Sequence, residues 1–334
     1  MKGVTLSYVN GRRGWCIALA FAFLASIAAL LLTMSTPERA DAQNQTPLGF
    51  VVKCDFRTTA YKDFVTDNPT HNHAFFGGAG TEAGTPANVD GNWLRNYSGN
   101  EPRTTCNVAP DKAMYWVPTL KKDRLNSAGT AVASTDVLFP ESVHAYYRAK
   151  GVTSAKPHPN NMEMLIGTPG STTYQTGVVQ WQCSGGNDNG EPAEVSDTPI
   201  NCPLTGENQP SVRVFGPECY KDANGDGTPD TPTASDFKSH TEQNAPCEPG
   251  FVRGIAIDQV IRWAPGTNVE GRTYLSSDPS SVGGSLGSYG NAYKTMHADF
   301  MDGWNRTVLN ELVAECVADG SGCNLAETED IAEN

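Results

Sequence analysis

The chain has 334 residues, of which 24 are basic and 37 acidic, giving a formal net charge of −13. Charge of that sign excludes nucleic acid and anionic membrane surfaces as partners, because both reward clustered lysine and arginine. Thirty-three glycines and 22 prolines, spread along the whole length, exclude a helical bundle and predict many turns.

At the N-terminus Arg12 and Arg13 precede an apolar run over 15–34, and Ala40-Asp41-Ala42 makes a small-x-small pattern before Gln43. This is the layout of a secretory signal with its cleavage site, so residues 1–42 are expected to be removed. The rival reading is an uncleaved anchor, since the run is long enough to span a bilayer. The arginine pair also resembles a twin-arginine export signal, although Gly14, Trp15 and Cys16 match that pattern poorly. Cleavage removes Lys2, Arg12, Arg13 and Arg39 against Glu38 and Asp41, leaving 20 basic and 35 acidic side chains and a net charge of −15. A secreted, extracellular protein is expected, with no membrane partner after cleavage.

Cysteine usage agrees with export. Of nine cysteines, Cys16 leaves with the signal, and the eight that remain read as up to four disulfides. The spacings suggest Cys183 with Cys202, Cys219 with Cys247 and Cys316 with Cys323, which leaves Cys54 for Cys106. A zinc–cysteine site is disfavoured by the absence of any C-x-x-C pair.

Residues 43–325 read as one domain, since no internal repeat or linker divides them. Segments rich in β-branched and aromatic residues recur at 48–56, 114–120, 143–148, 177–183, 211–215 and 254–263 and predict strands. One helix is predicted near the end, where Trp304, Val308, Leu309, Leu312 and Val313 fall at helical spacing, with Asp302 as its N-cap. The tail, 326–334, is short and acidic and is expected to be disordered. The fold class is mainly β: a single β-sandwich or jelly-roll-like domain with long loops, disulfides and one C-terminal α-helix.

The stretch 70–78 reads THNHAFFGG. In an extended chain His71 and His73 share a face while Asn72 points away, which is half of a metal site, and Phe75 and Phe76 supply a candidate apolar wall. Further candidates are His240, in DFKSH at 236–240, and His297 with Asp299, in MHADF at 296–300. Any one of these histidines alone reads as structural, as do His144 and His158. Taken together, His71, His73, His240 and His297 form a candidate site for zinc, copper, manganese or iron. Asp299 would act there as a further ligand, an orienting carboxylate or a general base.

The loop 222–230 reads DANGDGTPD, placing Asp222, Asn224, Asp226, Thr228 and Asp230 at alternate positions around Gly227. Alternating oxygen ligands about a glycine predict a structural calcium loop, of the helix-free extracellular kind, because Thr233 stands where an EF-hand has its glutamate. The alternative is an ordinary Asp/Asn/Gly surface turn.

Several segments in this order resemble a secreted fungal and bacterial family described as a domain of unknown function, number nineteen ninety-six. They are Phe50 to Phe56 with THNHAFFGG; Asp111-Lys112 before YWVPTL at 115–120; Tyr146-Tyr147-Arg148; Trp181-x-Cys183; Cys202-Pro203; Cys219 with an acidic loop and Lys238-Ser239-His240; and His297-Ala298-Asp299-Phe300 with Gly303-Trp304-Asn305. The likeness covers 48–318. Fungal members often carry a carbohydrate-binding cell-wall module, which implies polysaccharide-rich surroundings. This chain departs from the pattern where Cys219-Tyr220-Lys221-Asp222 opens the calcium-like insert and where Phe237 takes the place of a histidine.

Two functions of different class follow. The first is a glycan-related enzyme of extracellular polysaccharide with a His-rich, metal-dependent site. In a zinc version, bound water would lose its proton to Asp299; a copper or iron version would need an external reductant; a metal-free version would use His and Tyr as acid and base. Tyr115, Trp116, Tyr146 and Trp181 are candidates to stack on sugar rings, although aromatic residues in strands more often belong to the core. A two-carboxylate glycosidase and a G-x-S-x-G hydrolase are less attractive, because nothing singles out an acid pair and the serine elbow is absent. The second function is a non-catalytic carbohydrate-binding or cell-surface matrix protein. Convergence of the four histidines separates the two.

Overall fold

The computed structural model describes residues 48–65, 70–81, 89–98, 103–184, 192–203, 208–283 and 289–333; the expected signal, 1–42, lies outside them. All six predicted strand segments are strands. In chain order the strands are β1 (Gly49–Ala60), β2 (His73–Gly77), β3 (Met114–Pro118), β4 (Leu120–Leu125), β5 (Val132–Leu138), β6 (Ser142–Arg148), β7 (Glu163–Gly167) and β8 (Val179–Ser184). They continue as β9 (Pro192–Ser196), β10 (Gln209–Val214), β11 (Cys219–Lys221), β12 (Thr241–Glu242), β13 (Phe251–Arg253), β14 (Ala256–Arg262), β15 (Thr273–Leu275) and β16 (His297–Met301). The predicted 114–120 segment is broken at Thr119, whose N–H turns to the Asn72 carbonyl at 3.0 Å.

Ten of these strands form one large, curled antiparallel sheet in the order β7-β16-β3-β2-β1-β6-β14-β10-β8-β9, with two three-stranded sheets, β12-β11-β13 and β15-β4-β5, beside it. The alternation of side chains assigns the faces. Ala74, Phe76, Tyr115, Val117, Val143, Ala145, Tyr147, Ala298 and Phe300 point into the main core. Phe75, Met114, Trp116 and Met301, from the opposite face of β2, β3 and β16, join Val65, Val89 and Leu94 in a second, smaller core. These three strands are therefore buried on both faces along their whole length.

Four disulfides staple the chain: Cys54–Cys106, Cys183–Cys202, Cys219–Cys247 and Cys316–Cys323. A framework of this kind belongs to an oxidising compartment. No described helix is long and apolar enough to cross a membrane.

Three helices are described: α1 (Gly91–Asn96), α2 (Arg306–Val313), which runs on into a π-helical turn over Ala314–Ala318, and α3 (Leu325–Glu333). Two expectations are corrected here. The N-cap of α2 is Asn305, which accepts from Thr307 N and Val308 N. Asp302 is instead fully buried and accepts from Arg95 Nη1 at 3.1 Å, Asn161 N at 2.9 Å and Trp304 N at 3.1 Å. The tail is not disordered, because Asn324 and Glu327 form a reciprocal capping box: Glu327 N donates to Asn324 Oδ1 at 3.0 Å and Asn324 N to Glu327 Oε2 at 2.8 Å. Leu325, Ile331 and Ala332 then pack onto the body of the fold.

Candidate metal centre

The order of strands brings His73 and His297 together. Phe75 of β2, Trp116 of β3 and Asp299 of β16 lie in one row across the sheet. Because β2 and β16 each run antiparallel to β3, they run parallel to each other. His73, two residues before Phe75, and His297, two residues before Asp299, therefore share the next row on the same face. His71 precedes β2 and folds its ring against both. Ring centroids are 4.2 Å apart for His71 and His73, 5.1 Å for His71 and His297, and 5.7 Å for His73 and His297. One ligand atom from each of the three falls within 4.8 Å of the others.

Hydrogen bonds fix which nitrogens meet. His73 Nδ1 lies 2.9 Å from the Lys62 carbonyl and His297 Nδ1 2.8 Å from the Thr295 carbonyl. A carbonyl only accepts, so both Nδ1 atoms carry the proton, and a neutral imidazole then has a lone pair on Nε2. Neutral is the form that burial enforces. It pushes the His297 pKa down to about 3 and that of His73 well below the ordinary value, helped there by the neighbouring His297 and His71. Burial lowers His71 as well, with Asp63 opposing. His71 Nδ1 is held by Thr70 Oγ1 at 2.9 Å, and its Nε2 stands 3.3 Å from His297 Nε2. Two nitrogens each about 2.1 Å from a tetrahedral ion stand about 3.4 Å apart, so this spacing fits a shared cation. His73 Nε2 is buried with no partner among the described residues.

Asp299 borders the cluster. Its Oδ2 lies 3.8 Å from His297 Nε2, and neither carboxyl oxygen has a hydrogen-bond partner among the described residues. Burial raises its pKa well above the ordinary value, the charge of Asp63 adds to this, and Lys238 opposes it. Lys238 Nζ itself holds the Gly167 carbonyl and Thr168 Oγ1 (3.2 Å), beside the residue paired with His297. Asp63 and the carbonyls of Lys62 and Thr295 are the parts of the site that no sequence motif marked, and Lys238 was quoted only as a neighbour of His240.

His240 does not join the group. It is buried, with its ring against the Glu163 backbone, on the turn whose carbonyl accepts from Lys221 N at 2.9 Å. Phe237, three residues earlier, instead packs against the smaller core. The second cluster of ligand-type atoms, Cys54, Cys106 and Asp111, has its sulfurs in a disulfide.

The sugar-stacking candidates are corrected by burial. Tyr115, Trp116, Trp181 and Tyr146 are 0, 0, 1 and 5 % exposed, so none offers a face to a ligand. Trp116 stacks on Phe75 and Trp181 on Trp263. Tyr115 Oη donates to Asp111 Oδ2 at 2.7 Å and meets Tyr147 Oη, which accepts from Trp304 Nε1 at 2.7 Å. In the calcium-like loop the oxygens turn onto the loop's own amides. Asp222 accepts from Gly225, Asp226 and Gly227, Asp230 from Ala223 and Asn224, Asn224 from Asp226, and Asp226 from Thr228. The three aspartates do not form a group of close ligand atoms.

Residues 65–304 match the family model described as Domain of unknown function (DUF1996). The chain belongs to the DUF1996 family. No curated protein and no solved structure matches it. The DUF1996 match runs from Val65 to Trp304 and so takes in all three clustered histidines and Asp299.

Proposed function

We propose that this chain is a secreted metal-dependent enzyme acting on extracellular polysaccharide, with His71, His73 and His297 as its metal ligands. The observation that carries the reading is the convergence of three imidazoles, one ligand atom of each within 4.8 Å of the others. Two of the three have Nδ1 committed to carbonyl oxygens, which leaves Nε2 as the ligating atom, and His71 Nε2 lies 3.3 Å from His297 Nε2, the spacing of two ligands on one cation. Three neutral nitrogens suit zinc or copper. A bound ion would supply Lewis acidity. Asp299, a carboxyl with no hydrogen-bond partner among the described residues, on the adjacent row of the same face, would hold or hand over a proton. Lys62 and Thr295 keep the imidazoles in the ligating tautomer. Polysaccharide as substrate class is supported by the family resemblance, and Tyr61, 62 % exposed and next to Lys62 in the chain, offers an exposed ring to a sugar.

A non-catalytic reading is favoured by one observation: the imidazoles of His71, His73 and His297 are 8, 0 and 1 % exposed, and closed sites are typical of structural metal. Metal analysis of mature protein purified without a histidine tag, joined to assays on a panel of glycans, separates the two. The enzyme reading expects about one zinc or copper per chain, and loss of metal and activity together in His71→Ala and His297→Ala. Stoichiometric metal with no glycan turnover would leave the structural role. Sub-stoichiometric metal with activity unchanged in both variants would remove the metal altogether.

A further inference from the structure

The His297 ring takes its direction from a turn and not from the sheet. Residues 290–295 form a turn ahead of β16, so the carbonyls of Lys294 and Thr295 lie outside the strand ladder and need donors from elsewhere. The Thr295 carbonyl takes the His297 Nδ1 proton at 2.8 Å. The carbonyls on either side of it, those of Lys294 and Met296, both go to one amide nitrogen, Gln175 Nε2, at 2.8 and 2.7 Å.

Gln175 is itself anchored. Its main-chain carbonyl accepts from Val178 N and Val179 N, each at 2.9 Å, where β8 begins. Its side-chain Oε1 accepts from Thr168 N at 2.8 Å, and this fixes the orientation of the amide: turned over, its oxygen would face carbonyls and its nitrogen the Thr168 N–H. Glycine at 167 allows the reach. Gly167 pairs with His297, and a Cβ there would stand 2.9 Å from the Met296 carbonyl oxygen, 3.2 Å from His297 Cα and 3.3 Å from Gln175 Oε1.

A second clamp, Asp278, holds the same turn. Its Oδ2 accepts from Leu275 N at 2.8 Å and Tyr293 N at 3.0 Å, and its Oδ1 from Thr295 Oγ1 at 2.7 Å. Tyr293 has φ 70°, an unfavourable left-handed conformation for a residue other than glycine, which persists only where the surroundings over-determine it. The backbone that presents the Thr295 carbonyl is thus held in a strained shape by two side chains, from segments more than 100 residues apart, neither of which touches an imidazole.

We propose that Gln175 is a positioning residue of the histidine centre: by holding the Lys294 and Met296 carbonyls it aims the Thr295 carbonyl at His297 Nδ1 and so keeps Nε2 turned to His71. A neutral imidazole released from Thr295 can carry its proton on either nitrogen, and a proton on Nε2 blocks ligation. The effect on metal rests on the ligand assignment proposed above; the effect on the tautomer does not. The test compares the mature wild-type chain with Gln175→Met, which keeps the length of the side chain and removes its donors. Long-range proton–nitrogen NMR of chelator-treated protein should show a single His297 tautomer, protonated at Nδ1, in wild type and a mixture in Gln175→Met. Zinc, measured by chelator competition, should bind the variant about 10–100-fold more weakly, and the visible bands of the cobalt-loaded variant should shift. Thr295→Val, which cuts the link to Asp278, should move these readouts in the same direction and carries the test where Gln175→Met does not fold. Gln243 Nε2 spans two carbonyls in the same manner, Phe215 at 2.7 Å and Gly216 at 3.4 Å, neither next to a histidine. Gln243→Met should therefore lower the melting temperature and leave tautomer, zinc affinity and cobalt bands at wild-type values. An unchanged tautomer and zinc affinity in folded Gln175→Met, or equal changes in Gln243→Met, would overturn the proposal. A wild type that binds no zinc would overturn the metal reading alone, and the tautomer comparison would still decide the role of Gln175.

Discussion

Removing His297 should abolish a zinc-dependent gain in stability that removing His240 leaves intact. Both imidazoles are buried, so either alanine variant opens a cavity and lowers the melting temperature by an amount that says nothing about metal. The informative quantity is the shift that zinc produces within each variant. A ligand that binds only the folded state, present at about 1,000 times its Kd, stabilises by about 4 kcal/mol. In a domain of this size each kcal/mol moves the midpoint by about 2–4 °C, so the wild-type shift should be about 8–16 °C between chelator-treated and zinc-loaded protein. His297→Ala takes one of three nitrogens out of a group that spans 4.8 Å, and the shift should fall to a few degrees or none. His240→Ala leaves that group complete and should keep the full shift. Differential scanning calorimetry of the three proteins, with and without zinc, decides it. A wild type that does not respond to zinc, or a His240→Ala variant as unresponsive as His297→Ala, would refute the assignment of ligands.

Acid should destabilise the fold through two histidines outside the cluster. Burial lowers the pKa of His144 to about 3 and of His158 to about 4, so each is neutral when folded and takes up a proton near 6.5 when unfolded. Their stabilising effect is therefore complete above pH 6.5 and is lost as pH falls toward those values, at about 1.4 kcal/mol per pH unit each; urea titrations at pH 7 and 5 should differ by several kcal/mol, and His158→Gln should flatten the slope. Tyr147→Phe removes the acceptor of Trp304 Nε1 and the partner of Tyr115 Oη, and should cost about 1–3 kcal/mol by chemical denaturation. Asn324→Ala removes the cap of α3 and should cost about 1 kcal/mol, with faster amide exchange in Leu325–Glu333.

What was legible in the sequence divides along physical lines. The strands that carry the main core were legible because β-branched and aromatic runs between turns have few other uses, and the four disulfide pairs followed from the spacing of the eight cysteines left once Cys16 is set aside with the expected signal. The polar strands β4 and β5 were missed because LKKDRL and VASTDVL face solvent for much of their length and lack an apolar period. The helix α3 was hidden by its own charge: four acids in nine residues read as solvated tail, although Leu325, Ile331 and Ala332 supply the buried stripe. Tyr115, Trp116, Tyr146 and Trp181 were misplaced because alternation cannot reveal a sheet buried on both faces. The pairing of His71 with His73 was visible as an i, i+2 repeat. His297 was a candidate partner from its own motif, but that it and not His240 meets the pair depends on β2 and β16 flanking β3 in parallel, a relation between segments more than 200 residues apart.

Burial of both faces of β2, β3 and β16 is what makes the histidine cluster chemically specific. A sheet needs only one covered face to fold, and the second core of Phe75, Met114, Trp116 and Met301 adds apolar burial on the face that bears the imidazoles. That cover withholds water from the rings, so protonation is disfavoured and the two carbonyls can fix which nitrogen keeps its proton. An exposed trio of histidines would titrate near pH 6.5 and lose its lone pairs to acid. Here the Nε2 lone pairs of His73 and His297 persist, bordered by a carboxyl with no hydrogen-bond partner among the described residues. An unpartnered His73 Nε2 and Asp299 carboxyl are costly to bury, and one bound cation would engage His71, His73 and His297 together and leave Asp299 beside it as the group able to move a proton.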